Sequence, residues 1–358
     1  MYDQVLTAYG FPGNTSITPH GSGLINHTWH VRSDKGDFIL QRLNNSIFSR
    51  PYFIAENIER VGQYLADHYP QTIFPRPIMS ADGLTMIDAG PNGFYRVFPF
   101  ISDSVTVDVV RTPDEAFEAA RQFGGFTRML AGFPAQSLHD TLPGFHDLTR
   151  RYRDFLDALK NGLPGRIHST EQLIKFLESQ QHLVTEYEHI CSNPGFKKRV
   201  THHDTKISNV LFDRYGKGIC VIDLDTVMPG YFISDVGDMF RTYLSPVSEE
   251  EADLSIIQVR QEYFEAIVKG YLKEMSDVLT DVEKQAFVYA GEFMLYMQAL
   301  RFLTDYLYGD KYYATRYEGH NYIRALNQTT LLQRFQEMAP TLKGIAGQLT
   351  GNPHPPAA

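Results

Sequence analysis

The segment 201–209 reads T-H-H-D-T-K-I-S-N, and fourteen residues past Asn209 lies Asp223, in the run V-I-D-L-D. A carboxylate, an amide five residues on and a second carboxylate after an apolar run are what transfer of a phosphoryl group asks for. One carboxylate must face the attacking hydroxyl, while an amide oxygen and another carboxylate hold Mg²⁺ on the phosphates of ATP. In that chemistry Asp204 is the base, and Asn209 and Asp223 are the metal ligands. Lys206, two residues after the base, could reach the transferring γ-phosphoryl group and offset its charge.

The Asp-to-Asn spacing is that of the protein-kinase catalytic loop, H-R-D-L-x-x-x-N, with a D-F-G aspartate downstream; the Arg and the Phe-Gly are absent here. Two other readings compete. Asp204 could anchor a polar turn, with His202 and His203 as surface or hydrogen-bonded core histidines. Alternatively, His203-Asp204 could be a metal-binding dyad with Asp223 or Asp235, as in HD-type phosphohydrolases. That chemistry takes its ligands mainly from helices, whereas R-V-T and N-V-L-F around the loop read as strand.

Nearer the start, G-S-G-L-I-N at 21–26 matches a phosphate loop G-x-G-x-x-G with Asn26 in place of the last glycine. Gly21, Ser22, Gly23 and Asn26 are therefore candidate phosphate contacts, because glycine lets backbone N–H groups approach and Asn tolerates φ > 0. An ordinary hairpin turn is the alternative. The following run F-I-L-Q-R-L-N puts Gln41 where a kinase carries its phosphate-holding lysine. Glutamine supplies a donor but no charge, and Arg42 faces the other side of the strand. Glu56 and Glu59, on the next helical stretch, are both candidates for the lysine's glutamate partner, with Glu59 taken as the nucleotide-side residue; both could equally be solvated helix charges.

These residues need elements to hold them. Residues 14–43 read as three short strands, 52–68 as a helix with Ile54, Ile58, Val61 and Leu65 at helical spacing, and 84–88 and 94–100 as two more strands. Beyond Ser102 helical patterns dominate, at about 113–131, 145–160, 169–190, 249–273, 280–308 and 320–337, one opening on the capping box Thr280-Asp-Val-Glu283. Short strands around a polar loop interrupt them at 198–223. The expected fold is α+β and bilobal, protein-kinase-like. A small antiparallel β lobe with one helix (1–101) would bind nucleotide, and a larger, mainly helical lobe (102–358) would carry the catalytic loop and the substrate pocket. A nucleotide in the cleft would meet the backbone of the joint, from Pro99 to Ile101, since a proline still offers its carbonyl.

The run 280–308 is apolar nearly all round, which marks a buried helix. Gln298, Arg301 and Asp305 share one face, so Arg301 should either pair with Asp305 at i+4 or reach a ligand. With the aromatic run D-K-Y-Y-A-T-R-Y at 310–317 it offers forked donors and flat faces, which suit a polyhydroxylated molecule. Formal charge is −9, with 33 Lys+Arg against 42 Asp+Glu, and no basic cluster marks a nucleic-acid binder. The only cysteines, Cys191 and Cys220, exclude a disulfide framework. No signal-peptide or membrane-spanning pattern is present, so a soluble cytoplasmic protein with a small-molecule partner is expected. The G-N-P-H-P-P-A-A tail should fray.

At these residues the chain resembles the phosphotransferase family that includes aminoglycoside and choline kinases, and within it the N-acetylhexosamine 1-kinases. The similar segments are I-L-Q-R-L-N-N-S-I-F, V-T-H-H-D-T-K-I-S-N-V-L-F-D, V-I-D-L-D-T-V-M-P-G with the following D-V-G-D, and R-F-L-T-D-Y-L-Y-G-D-K-Y-Y-A-T-R-Y. The resemblance implies transfer of the γ-phosphoryl of ATP, with Mg²⁺, to the anomeric hydroxyl of an N-acetylhexosamine, as in amino-sugar salvage. Asp204 would be the base, Asp223 the Mg²⁺ ligand, and Asp204, Arg301 and Tyr312 the sugar contacts; a missing strand lysine is a trait of that group. Leu24, His27 and the His-His before Asp204 depart from its pattern, which bears on ligand preference. Another sugar, an aminoglycoside or choline as acceptor, or a nucleotide-binding pseudokinase, are the remaining readings.

Overall fold

The computed structural model describes residues 3–11, 13–21 and 25–351. Ser22 and Gly23 of the glycine-rich run, with Leu24, lie outside the described residues, as does the 352–358 tail. The chain divides into two compact units, 1–105 with 132–143 and 211–229, and 106–131 with 144–210 and 230–358.

In the first unit a short helix α1 (Asp3–Ala8) precedes β1 (Ser16–Pro19), β2 (His27–Ser33), β3 (Gly36–Leu43), α2 (Pro51–His68), β4 (Ile87–Asp88) and β5 (Phe94–Pro99). The strands form one antiparallel sheet in the order β1-β2-β3-β5-β4. Alternation does the sorting, because successive side chains in a strand point to opposite faces. Trp29, Val31, Phe38, Leu40, Tyr95 and Val97 share the face that packs on Val5, Leu6, Tyr9 and Phe11. Thr28, Gln41 and Arg96 stand side by side on the other, set by the pairs Thr28↔Gln41 and Gln41↔Arg96. The strand expected over 84–88 is only two residues long, since Leu84 and the turn before it are exposed. In the later part of this unit β7 (Val210–Phe212) pairs with β8 (Gly218–Val221), and Phe212 bridges to Val105.

The second unit is mainly helical: α3 (Pro113–Met129), α4 (Leu148–Asn161), α5 (Pro164–Ser169), α6 (Glu171–Ser179), α7 (His182–Ser192), α8 (Phe232–Tyr243), α9 (Gln261–Met275), α10 (Asp281–Gln285), α11 (Phe287–Leu307) and α12 (His320–Thr350), with the strand β6 (Arg199–Thr201) leading into the 202–209 loop. The expected capping box forms: Thr280 accepts from the Glu283 backbone, and the Glu283 carboxylate accepts from Thr280 N at 2.9 Å. Four helical stretches differ from their sequence patterns, among them the 280–308 run, which breaks at Ala286 between α10 and α11. The 169–190 run breaks at Thr170, whose hydroxyl bonds back to Arg166 O at 2.8 Å, and again at Gln180-Gln181. The 249–260 run is not α-helical, because Glu249 and Glu250 reach out to Arg241 and to Arg324 and His320, while Asp253, accepting from Ser255 N, caps a single 3-10 turn over Leu254–Ile256. Conversely, α12 runs on through Pro340, as Leu342 and Ala346 beyond it are buried.

Helix α11 is the axis of this unit, buried on nearly every side. Two glycines let its neighbours approach. A Cβ on Gly237 of α8 would strike the Ala290 carbonyl, and one on Gly291 of α11 would strike the Phe335 ring of α12. Overpacking of this kind costs about 1–3 kcal/mol. Gly344, in α12, has open space where its Cβ would be. Gly237→Ala should therefore lower the thermal midpoint by several degrees and Gly344→Ala raise it slightly, as the helix propensity gain of roughly 0.5–1 kcal/mol is then unopposed; differential scanning calorimetry of the two variants checks the opposite signs.

Candidate active site

The 202–209 loop leaves β6 with its backbone turned inward, and α8 satisfies it. Asp235 accepts His203 N at 2.7 Å on one carboxylate oxygen and His202 N at 3.1 Å on the other. Asp238 accepts Thr205 N at 2.8 Å, the Thr205 hydroxyl donates to Asp235 O at 2.7 Å, and the Tyr243 hydroxyl donates to Thr205 O. Arg241 balances the charge, bonding Asp238 at 2.8 Å and pairing with Glu249. His203 is held at φ +67°, a left-handed conformation rare for a non-glycine residue and one that clusters at functional sites. Gly230 makes room for it, since a Cβ there would meet the His203 ring at 2.5 Å.

Asp204 follows directly. Asn209 Nδ2 donates to its carboxylate at 3.0 Å and to its carbonyl at 2.9 Å, and Lys206 Nζ lies 3.3 Å from its other oxygen. Burial works to raise the Asp204 pKa, but Lys206, His202, Arg241 and the Asn209 amide outweigh it and hold the carboxyl below its usual range. Asp204 in turn raises the Lys206 ammonium. The loop thus presents an ionised carboxylate beside a cation. Because the Asn209 amide nitrogen is bonded to Asp204, its Oδ1 is the atom left to offer a cation. Asp235, already a hydrogen-bond acceptor for two backbone groups, is not part of a metal-binding dyad, and among the described residues no group of three His, Cys, Asp or Glu could hold a metal ion.

In the first unit the polar face of the sheet is organised around Arg96. This side chain is 1% exposed and sits 2.5 Å from Asp225. Its Nε and Nη2 donate to Gln41 Oε1 at 3.1 and 2.9 Å, and Gln41 Nε2 donates to Thr28 at 3.3 Å. Asn26 Nδ2 donates to Asp225 at 2.7 Å while its Oδ1 accepts Asn44 N at 3.1 Å. Arg42 lies on the opposite face, opposite Tyr95, as strand alternation requires. Neither helix glutamate faces this row: Glu59 is exposed, and Glu56 bonds His139 at 2.7 Å and lies 3.5 Å from Arg60. The inward residue of α2 is Asn57, buried and bonded to the His139 backbone and to Val227 O. Asp223 is exposed and left-handed at φ +59°, Gly21 has φ +77°, Pro99 is exposed, and the Ile101 carbonyl accepts from Ser104 Oγ at 2.6 Å. Arg96 and Asp225 were not singled out from sequence; the signal was there in a lone arginine amid the alternating strand F-Y-R-V-F-P and in the second carboxylate of D-L-D.

A cavity of about 320 Å³ opens in the second unit, lined by Arg151, Asp154, Arg301, Asp305, Tyr312 and Tyr313 among others. Of the two readings of Arg301, the pair with Asp305 does not form. Asp305 instead accepts three backbone N–H groups, of Lys311, Tyr312 and Tyr313 at 2.8–2.9 Å, plus Asn321 Nδ2 at 3.0 Å, and so shapes the turn that carries the tyrosines. Arg301 bonds Gln298 at 3.1 Å and lies over the rings of Phe145, at 4.9 Å, and Tyr313, at 5.5 Å. Burial, with the charge of Arg301 adding to it, brings Arg151 down to about 10. Phe145 stacks on His146, whose Nδ1 lies 3.2 Å from His203 Nδ1, one residue before Asp204. Burial, then the charges of His203 and Arg301, push His146 well below the usual histidine range.

The model of the phosphotransferase enzyme family, APH, matches residues 16–267. Among solved structures the chain is similar to a microcompartment-associated aminopropanol kinase, at 18% identity and a TM-score of 0.65 over 95% of this chain and 97% of that one. It is similar to an amicoumacin kinase in complex with AMP-PNP and Ca²⁺, at 15% identity and 0.58 over 96% and 92%. A choline kinase from Cryptosporidium parvum Iowa II matches at 14% identity and 0.56 over 98% of each chain. These likenesses are of fold, a small antiparallel sheet followed by a mostly helical lobe, as the sequence predicts. No helix among the described residues is long and apolar enough to cross a membrane.

Burial raises the Asp235 carboxyl to about 7, with Asp238 and Asp204 adding to the rise and the two backbone N–H groups partly opposing it. Its folded value exceeds the unfolded value of about 3.9, so the proton is bound more tightly in the folded state. That contribution to stability is complete below pH ~4 and is lost as pH rises to about 7. Wild-type stability measured against Asp235→Asn in urea should therefore fall across this window and level off above it. The asparagine has one acceptor oxygen for two N–H groups, and hydrogen exchange at 202–205 should speed up.

Proposed function

The chain belongs to the phosphotransferase enzyme family and so acts on hydroxyl groups of small molecules, and from that premise we propose that it is an ATP-dependent kinase of N-acetylhexosamines, acting at the anomeric hydroxyl. The observation that carries the acceptor class is the cavity of the second unit. Its two guanidiniums, Arg151 and Arg301, already oppose one another's charge, and its carboxylates are engaged: Asp305 by four hydrogen bonds, Asp157 by the Tyr308 hydroxyl and Asp154 by Arg151 at 3.7 Å. Such a lining favours a neutral ligand rich in hydroxyl and carbonyl acceptors, with Tyr312 and Tyr313 as flat walls. It disfavours quaternary or primary ammonium groups, which the choline and aminopropanol kinases of this fold handle.

The chemistry asks little of the base. An anomeric hydroxyl is more acidic than an ordinary alcohol, so an ionised Asp204 can take its proton although its pKa is low. Lys206 would offset charge on the transferring phosphoryl group, and Phe145 and His146 would fix the sugar wall relative to the loop. Asn209 and Asp223 offer oxygens of the hard kind that Mg²⁺ prefers, and a cation that keeps waters and phosphate oxygens needs only one or two protein ligands. Bound there, Mg²⁺ would neutralise charge on the phosphates of ATP. Gly21, Ser22, Gly23, Asn26, Gln41, Glu59, Pro99 and Ile101 are the proposed nucleotide-side residues, of which Glu59 is exposed on α2.

ADP release with Mg-ATP is expected with N-acetylglucosamine or N-acetylgalactosamine, and not with choline or kanamycin. Asp204→Ala should lower kcat by roughly 10³-fold. Arg301→Met should raise the sugar KM about tenfold or more with a smaller change in kcat, as expected when a charge-assisted hydrogen bond worth roughly 1.5–3 kcal/mol is lost from ground and transition states alike. Turnover only with choline or an aminoglycoside would overturn the acceptor assignment; ATP binding without turnover on any acceptor would point to a pseudokinase.

A further inference from the structure

On the polar face of the first unit's sheet, one cationic donor makes no hydrogen bond with any described residue; the other buried atom there without one, Asp225 Oδ1, is ion-paired to Arg96 Nη2 at 2.5 Å. Thr28, Gln41 and Arg96 form a row across three strands, and Asp225 with Asn26 closes its end. Gln41 Oε1 accepts two guanidinium N–H groups, and Asp225 takes Nη2. Arg96 Nη1 is buried and makes no hydrogen bond with any described residue. A desolvated guanidinium N–H is costly unless an acceptor reaches it, so such orphans need an explanation. A purely structural role explains it poorly, because a buried ion pair kept only for packing is readily replaced by apolar residues.

The sequence pattern adds the second observation. Gln41 occupies the strand position at which kinases carry a lysine, paired with a carboxylate, that holds the α- and β-phosphates. The cation missing from that position stands directly across the strand, at its register partner, and its carboxylate comes from Asp225 and not from α2. Asn26, the last residue of the glycine-rich run, is bonded to that same carboxylate. A guanidinium presents its N–H groups in a plane that matches phosphate oxygens. We propose that Arg96 is the phosphate-binding cation of this protein: Gln41 and Asp225 orient its guanidinium, and Nη1 is the donor to an α- or β-phosphate oxygen of the nucleotide. Gln41 is then a positioning residue, and Asp225 plays the part of the helix glutamate. This assignment rests on the reading of the chain as an ATP-dependent kinase.

The test is titration calorimetry of the full chain with Mg-ATP and, separately, with adenosine, which shares the base and sugar but has no phosphate. For Arg96→Gln the expected result is an ATP affinity about thirty-fold weaker, in the range for loss of a charge-assisted hydrogen bond, with adenosine affinity unchanged within about threefold. Since Arg96→Gln leaves the buried Asp225 carboxylate with Asn26 but without its cation, the exchanged pair Gln41→Lys with Arg96→Gln is measured beside it. Returning a cation to the same row should recover most of the ATP affinity and the thermal stability. Equal loss for ATP and adenosine, unchanged ATP affinity in Arg96→Gln, or no recovery in a folded exchanged pair would each overturn the role of Arg96. A wild-type chain that binds adenosine but not ATP, or neither, would overturn the kinase reading itself, a result separable from the others because it requires no variant.

Discussion

Two hydrogen bonds from consecutive backbone N–H groups to one carboxylate, His202 and His203 to Asp235, hold the 202–209 loop in place. Residues 202–206 pair with no strand, so their backbone donors need acceptors from elsewhere. Helix α8 supplies them within one turn, Asp235 for residues 202 and 203 and Asp238 for residue 205. Putting two acids on one turn of a buried helix raises the Asp235 pKa, and Arg241 is the counter-charge that makes the arrangement tolerable. The position of α8 depends in turn on Gly237, where the backbone of α11 comes too close for any side chain. A geometric demand at Asp204 therefore propagates to a glycine on the far side of a helix.

Buried arginines in both units are paired with carboxylates, and several have a neutral hydrogen-bond partner as well. Arg96 has Asp225 and Gln41, Arg199 has Glu283 and the Val278 carbonyl, and Arg324 has Glu250 and Asn321. Arg301 is the departure: it bonds Gln298 but no carboxylate, and it faces a cavity beside Arg151, whose charge it opposes. That arrangement supports the proposed reading of this cavity as a site for a ligand's acceptors.

The sequence pattern carried the fold well where spacing is enforced by burial. Strand alternation placed Arg42 away from Gln41, the capping box at Thr280 formed, and the polar loop between short strands at 198–223 was legible because turn residues interrupt β-branched runs. Asp204, Lys206 and Asn209 were legible as a group since they are close in sequence, and the structure brings them within hydrogen-bond or ion-pair reach. What remained hidden depends on partners distant in sequence. Arg96 acquires its meaning from Asp225, and Asp305 turned from Arg301 to the backbone of 311–313, a choice that i+4 spacing cannot foresee. Helix ends failed where carboxylates had better partners than their own helix, as at Glu249 and Glu250.

The first unit is assembled from three separate stretches of chain, and this has a consequence for how the protein is made. Arg96 leaves the ribosome about 130 residues before Asp225, an interval of roughly 10 s at ordinary elongation rates. During that time the nascent sheet can bury its apolar face, but it has no carboxylate from 211–229 to place beside the guanidinium. Its polar face has to stay hydrated, so the emerging sheet is held short of full compaction by a single charge. Closure of that face awaits the arrival of the D-L-D segment, which ties completion of the first unit to synthesis of the 202–209 loop just ahead of it.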